Sequence, residues 1–203
     1  MLEAFIHGVV LAFGLILPLG VQNVFIFNQG AVHKKFIRAF PAIITASVCD
    51  TLLILLAVAG VSIIILSFSW LRTFLFLVGF LFLVYMGWLM WRDASEVSLN
   101  EVSNSFTAKR QVLFAASVSL LNPHAILDTI GVIGTSSLIY TGHDKLMFTA
   151  ACILISWLWF FSIAFAGKKI GQIDQGGKLL KRMNRFSALI IWIMAVYLGI
   201  QLI

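Results

Sequence analysis

The chain has 203 residues, 61% of them hydrophobic and only 11% charged, with a net charge of +6. A soluble domain averages roughly 25% charged residues, and here the charges are confined to short gaps between long apolar runs, which excludes a water-soluble fold around a single core. The basic excess lies in those gaps, so it reads as membrane topology rather than as a surface for nucleic acid.

Runs of about 18 or more apolar residues are membrane spans. Continuous rather than alternating apolarity selects helices over barrel strands, and a helix satisfies its own backbone hydrogen bonds in lipid. The mean hydropathy of +1.04 agrees. Six transmembrane helices are expected, at about 3–27, 37–66, 72–91, 110–139, 146–167 and 185–203, in one all-α domain that spans 1–203.

The first run lacks a basic leader, carries Glu3 and shows no small-residue cleavage site, so it reads as a span rather than a signal peptide. It contains Pro18, followed by Leu19, Gly20, Val21, Gln22 and Asn23. Proline removes a backbone donor and disfavours helix at the residue before it, so this span is expected to break there. The next loop holds Lys34 and Lys35, with Arg38 beside it and His33 within it. The second span carries Cys49, Asp50 and Thr51 and ends at Ala59 and Gly60. Cys49 and Cys152 both fall inside apolar runs and read as small buried residues.

The third span leads to a loop flanked by Arg92, Lys109 and Arg110. The fourth is interrupted at Asn122, Pro123 and His124, and Asp128 and Thr129 follow. The fifth ends at Ala166 and Gly167. A basic loop follows, with Lys168, Lys169, Lys178, Lys181, Arg182 and Arg185 and broken by glycines. It reads as a topology-fixing loop, with contact to anionic headgroups as the alternative. Twelve basic residues thus fall on one side of the membrane and two, Arg72 and Lys145, on the other. The positive-inside rule puts loops one, three and five in the cytoplasm and both termini outside.

An internal repeat runs through the chain. Phe74 through Val84, Tyr85, Met86 and Gly87 matches Phe186 through Val196, Tyr197, Leu198 and Gly199 at one constant offset, and the two proline breaks occupy corresponding places. With three spans per half, the second half (about 110–203) is expected to be inverted relative to the first (about 1–92). Inverted repeats with broken spans point to a secondary transporter, whose site lies near mid-membrane.

Asp50 and Asp128 are the acidic residues deep inside spans. A carboxylate in lipid is costly, so it usually faces a cavity and marks function, although protonation and a bond to a neighbouring helix is the structural alternative. His124 and Asp128 are four apart, on one helical face. They can serve a substrate, a proton relay or two metal ligands, and His124 can equally be packed among helices. Each break starts a new half-helix whose free N–H groups favour an anion such as an α-carboxylate. The amides of Gln22, Asn23 and Asn122 can bond a ligand or the broken backbone itself. A molecule with both a carboxylate and a side-chain cation, such as arginine or lysine, fits these residue types. His7 reads as a packed histidine. The deeper tryptophans Trp157, Trp159 and Trp192 read as lipid-facing or packing residues, while Trp70, Trp88 and Trp91 lie near span ends.

Along its whole length the chain resembles the lysine exporter (LysE) family, above all its lysine and arginine exporters. The resemblance rests on Leu17 through Asn23 with Phe27, Asn28, Gln29 and Gly30, then Cys49, Asp50 and Thr51, then Asn122 through Thr129. It implies efflux of L-lysine or L-arginine from a bacterial cytoplasm across the plasma membrane, driven by the proton-motive force, with no cofactor. It also implies a site at Gln22, Asn23, Asp50, Asn122 and Asp128, and His124 and Thr129 are expected to join them in binding substrate. The rival of the same class is a divalent-metal exporter using Asp50, His124 and Asp128, although no dense run of His, Asp and Glu is present. An intramembrane enzyme with Asp50 and Asp128 as an acid–base pair lacks the Gly-x-Gly-Asp pattern. A purely structural subunit leaves the paired breaks and buried carboxylates unexplained. Gly79, Gly87 and Gly199 can let helices pack closely, within one chain or between two copies in a homo-oligomer.

Overall fold

The computed structural model describes residues 1–17, 20–33, 35–61, 69–96, 107–120, 126, 128–173 and 178–200. Every regular element among them is helical. In chain order these are α1 (Leu2–Ile16), α2 (Val21–Val32), a 3-10 turn (Phe36–Ala39) that feeds α3 (Phe40–Leu56), and a π-helical turn at Ala57–Val61. Then follow α4 (Ser69–Glu96), α5 (Ala108–Leu120), a second π-helical turn at Asp128–Ile133, the short α6 (Gly134–Ser137), α7 (Gly142–Ile173) and α8 (Lys178–Ile200).

Two helical stretches, Phe36–Gly60 and Gly142–Ile173, are long and apolar enough to cross a bilayer. The α1–α2 pair qualifies as a third if taken as one span, its two halves set at 82° to each other. Pro18, assigned above to that break, lies outside the described residues, as does Pro123. α4 and α8 contribute shorter apolar stretches, Phe76–Trp88 and Ala188–Tyr197. Pro41 sits in the first turn of α3, where a missing N–H leaves no helical bond unmade. The turn that closes α3 contains Gly60 at φ 96°, a left-handed conformation natural to glycine.

The helices pack across the sequence repeat rather than within it. α1 and α2 lie on α7, α3 lies on α5 and α7, and α4 lies on α8. Contact registers give their directions. His7 meets Phe148 and Phe13 meets Trp159, so α1 and α7 run parallel. Phe36 meets Phe165 and Phe40 meets Phe161, so α3 and α7 run antiparallel. Between α4 and α8, Gly87 lies over the Trp192 indole and Gly199 beside the Phe80 ring. Phe80 and Trp192 are 112 positions apart, as are Gly87 and Gly199. The two contacts are therefore reciprocal, and the helices are antiparallel. Both glycines are thus used for packing within one chain.

The seam between α2 and α7 is the closest approach. A Cβ on Gly30 would strike the Ala164 carbonyl, one on Gly167 the Phe27 carbonyl, and one on Gly171 the Ala31 carbonyl. Gly8 serves α1 in the same way, where a Cβ would come within 2.6 Å of the Phe148 carbonyl oxygen. Small residues that bring backbones together are the usual means of packing helices in lipid. This seam corrects one sequence expectation. Gly167 does not end the fifth helix; α7 passes through it to Ile173, so Lys168 and Lys169 are helical. The glycine there is a point of contact, not a stop.

His33, expected in a loop, is buried at 3% exposure. It terminates α2 and joins three elements. Its Nε2 lies 2.9 Å from the Gln111 side-chain nitrogen, which also donates to the Arg38 carbonyl at 3.0 Å. Lys168 donates to the His33 carbonyl at 2.9 Å. The amide nitrogen only donates, so the ring nitrogen accepts and must be unprotonated there. Burial first, then the nearby cations Arg38 and Lys168, hold this imidazole below its usual range.

The unfolded chain takes that proton first, at about pH 6.5. Stability carried by neutral His33 is therefore complete above that value and is lost as pH falls from there through the lower folded value. The purified protein is expected to unfold at lower temperature at about pH 5 than at about pH 8, with a flatter response in His33→Gln. Identical pH slopes for the two proteins would overturn this assignment.

Candidate functional site

Asp50 lies on the α3 face that meets α2 and α7. Each carboxylate oxygen has a donor: Gln22 Nε2 at 3.3 Å on Oδ1, and Ser156 Oγ at 2.9 Å on Oδ2. Gln22 comes from the first turn of α2 and is 8% exposed; Ser156 comes from mid-α7 and is 2% exposed. Three helices thus converge on one carboxylate. An ionised carboxylate offers about four acceptor positions. Two are occupied by described residues, and a cation is the partner that best offsets the charge.

Asn23, next to Gln22, is turned elsewhere. Its Nδ2 donates to the Ile16 carbonyl at 3.0 Å, and its Oδ1 accepts from Trp159 Nε1 at 3.1 Å. Ile16 is the last residue of α1, where carbonyls lose their helical partners. The amide therefore satisfies the interrupted backbone, one of the two roles the sequence allows it. Gly20 occupies the N-cap of α2 in an extended conformation, with no side-chain cap.

Beside Asp50, Thr51 donates to the Ser47 carbonyl at 2.7 Å and accepts from Trp157 Nε1 at 3.0 Å. Among the described residues, the Ser47 hydroxyl and the Gln29 side-chain oxygen are buried without a hydrogen-bond partner, as is the Ser119 hydroxyl on α5. Unsatisfied polar atoms are rare in apolar interiors, and the first two lie on α3 and α2, the helices that also carry Asp50 and Gln22.

The structure brings Gln22 and Asp50 together and places Asn23 one residue away. The backbone of Asp128 and Thr129 forms the second π-helical turn. Ile126 and Ile130 pack there on Leu53 of α3 and on Ala57 at the start of the turn that follows it. Asn122, Pro123 and His124 lie outside the described residues. Among the described residues no three His, Cys, Asp or Glu side chains cluster as metal ligands, and the divalent-metal reading gains no support.

Sequence reasoning missed Ser156 and the donor roles of Trp157 and Trp159. Ser156 had one weak signal, a hydroxyl near the middle of a 32-residue apolar helix that also carries Thr149 and Ser162. The tryptophans had none, because the same ring serves lipid contact and hydrogen bonding alike.

Residues 13–202 match the family described as LysE type translocator. The "Putative amino-acid transporter YisU" of Bacillus subtilis (strain 168) is 59% identical over 99% of this chain and 91% of its own length. The arginine exporter protein ArgO of Photorhabdus laumondii is 31% identical over 99% of this chain and 97% of its own. That of Enterobacter sp. (strain 638) is 29% identical over 98% and 94%. No solved structure matches the chain.

Proposed function

The chain belongs to the LysE type translocator family, and we propose that it exports L-arginine, L-lysine or both from the bacterial cytoplasm in exchange for protons. The observation that carries the choice of substrate is the Asp50 carboxylate, held by Gln22 and Ser156 between three helices of a membrane domain. A basic amino acid supplies the cation such a group calls for. The relatives named arginine exporters support the same class.

In this reading the side-chain cation sits at Asp50, with Asp128 as its second carboxylate. The substrate carboxylate lies near the starts of half-helices expected after the two proline breaks, with Gly20, Asn122 and Thr129 as the sequence candidates there. A proton on an Asp and a cation beside it exclude each other, so one site can exchange the two, with His124 as a relay. Six spans, with both termini outside, are the topology proposed. Odd spans α1 and α7 run parallel, and α4 and α8 run antiparallel, as six alternating crossings require. The reciprocal contacts of Gly87 with Trp192 and Gly199 with Phe80 support an inverted 3+3 repeat, since a two-fold axis in the membrane plane exchanges each pair for the other.

Cells preloaded with labelled arginine or lysine test the reading. Saturable efflux that exceeds that of cells lacking the protein, and that collapses when a protonophore removes the gradient, is the expected result. Efflux equal to that of empty cells for both amino acids would reject the substrate class. Efflux indifferent to the protonophore would reject proton exchange alone.

A further inference from the structure

We propose that Ser156 is a positioning residue for the Asp50 carboxylate, acting from the opposite half of the chain; the inference rests on the reading of Asp50 as the cation site.

A hydroxyl in an apolar helix has a cheap way to satisfy itself, by donating back to the carbonyl one turn earlier. This protein uses that route repeatedly. Thr45 donates to the Pro41 carbonyl, Thr51 to Ser47, Thr135 to Gly131 and Thr149 to Lys145, each four residues back. Ser137 does so three residues back, to Gly134. Ser156 departs from this habit. Its hydroxyl turns out of α7 and donates across the helix interface to Asp50 Oδ2 at 2.9 Å. At 2% exposure it has no water to compete for that bond.

The carboxylate on α3 is thereby oriented by two other helices, Gln22 on α2 and Ser156 on α7. Those two helices are locked together by the glycine seam at Gly30, Gly167 and Gly171. The carboxylate is thus aimed from α2 and α7, while α3 carries its backbone. Of the two donors, Ser156 at 2.9 Å is the closer, Gln22 lying at 3.3 Å. With Ser156 in place, the other acceptor positions of Asp50 are fixed in direction. Without it the carboxylate can rotate, and a cation must meet it in fewer of its orientations. The loss falls on substrate binding rather than on the rate of the loaded carrier.

The test is the concentration dependence of arginine and lysine efflux, with each variant matched for membrane abundance. Ser156→Ala is expected to raise KM about tenfold, the worth of one hydrogen bond to a charged group, with the maximal rate within about twofold. Ser156→Cys keeps the volume and weakens the donor, so it is expected to raise KM as well, and it serves if the alanine variant does not reach the membrane. Ser156→Thr, which keeps the hydroxyl, is expected to stay nearer the unaltered KM than either. Thr149→Ala removes a back-bonded hydroxyl from the same helix and is expected to leave KM unchanged. An unaltered KM in Ser156→Ala and Ser156→Cys overturns the proposal, and so does a lowered maximal rate at constant KM. Absence of efflux from the unaltered protein overturns the transport reading itself, and this inference with it.

Discussion

Asp50→Asn is expected to reduce arginine and lysine efflux by about two to three orders of magnitude, while the protein remains folded in the membrane. The substitution is close to isosteric, and the amide can still pair with Gln22 and Ser156, since a serine hydroxyl accepts as readily as it donates. What disappears is the negative charge. Removing one partner of a buried, hydrogen-bonded charge pair costs about 3–5 kcal/mol, and each 1.4 kcal/mol is about tenfold in an equilibrium constant. Asp50→Glu keeps the charge but displaces it by a methylene, so it should fall between the two. The comparison is labelled efflux at matched membrane abundance. Efflux from Asp50→Asn equal to that of the unaltered protein would remove Asp50 from the mechanism, although the family membership would stand.

The second large effect is structural. Gly167→Leu is expected to eliminate folded protein from the membrane. Its Cβ would collide with the Phe27 carbonyl, whose oxygen, carbon and Cα all crowd that point. Both sides of the contact are backbone, so no side chain can swing aside, and α2 and α7 must separate along the whole seam. Overpacking usually costs about 1–3 kcal/mol where side chains can yield; here the cost exceeds that. Gly14 is the control, because among the described residues nothing lies within 4 Å of a Cβ placed there. Gly14→Ala should be neutral or slightly stabilising, since alanine favours helix by about 0.5–1 kcal/mol. Thermal unfolding in detergent and abundance in isolated membranes measure both. Normal abundance and midpoint in Gly167→Leu would show that the seam opens without penalty.

The difference between these two sites also separates what the sequence discloses from what it withholds. Apolarity is a property of a run, so the long helices around Asp50 and Cys152 were legible. The offset of 112 positions was legible, and it also relates two of the contacts between α4 and α8, Gly87 with Trp192 and Gly199 with Phe80. Pairing between helices depends on rotation and depth, which no run of residues states. The bond from Ser156 to Asp50 joins positions 106 apart, and that from Trp159 to Asn23 joins positions 136 apart. His33 looked like a loop residue because it follows the last apolar turn of α2, and its burial comes from Gln111 on α5. Gly167 looked like a terminator because Ala166 and Gly167 repeat the pair at Ala59 and Gly60. Glycine at φ 96° does turn the chain at Gly60. At Gly167 the missing side chain is used instead to admit a neighbouring backbone.

The cross-repeat packing sets the order in which the molecule can be completed. The main helix contacts of residues 1–96 are made with residues 107–200: α1 and α2 with α7, α3 with α5 and α7, α4 with α8. During synthesis the first half therefore enters the bilayer with its matching faces still turned to lipid. The close-contact positions at Gly8 and Gly30 stay vacant until α7 has been made, and the α4 face that receives Trp192 waits for α8. Neither half is a finished object that the ribosome can leave behind. Two separately made halves would have to thread together as they assembled, because each leaves its main packing faces to the other.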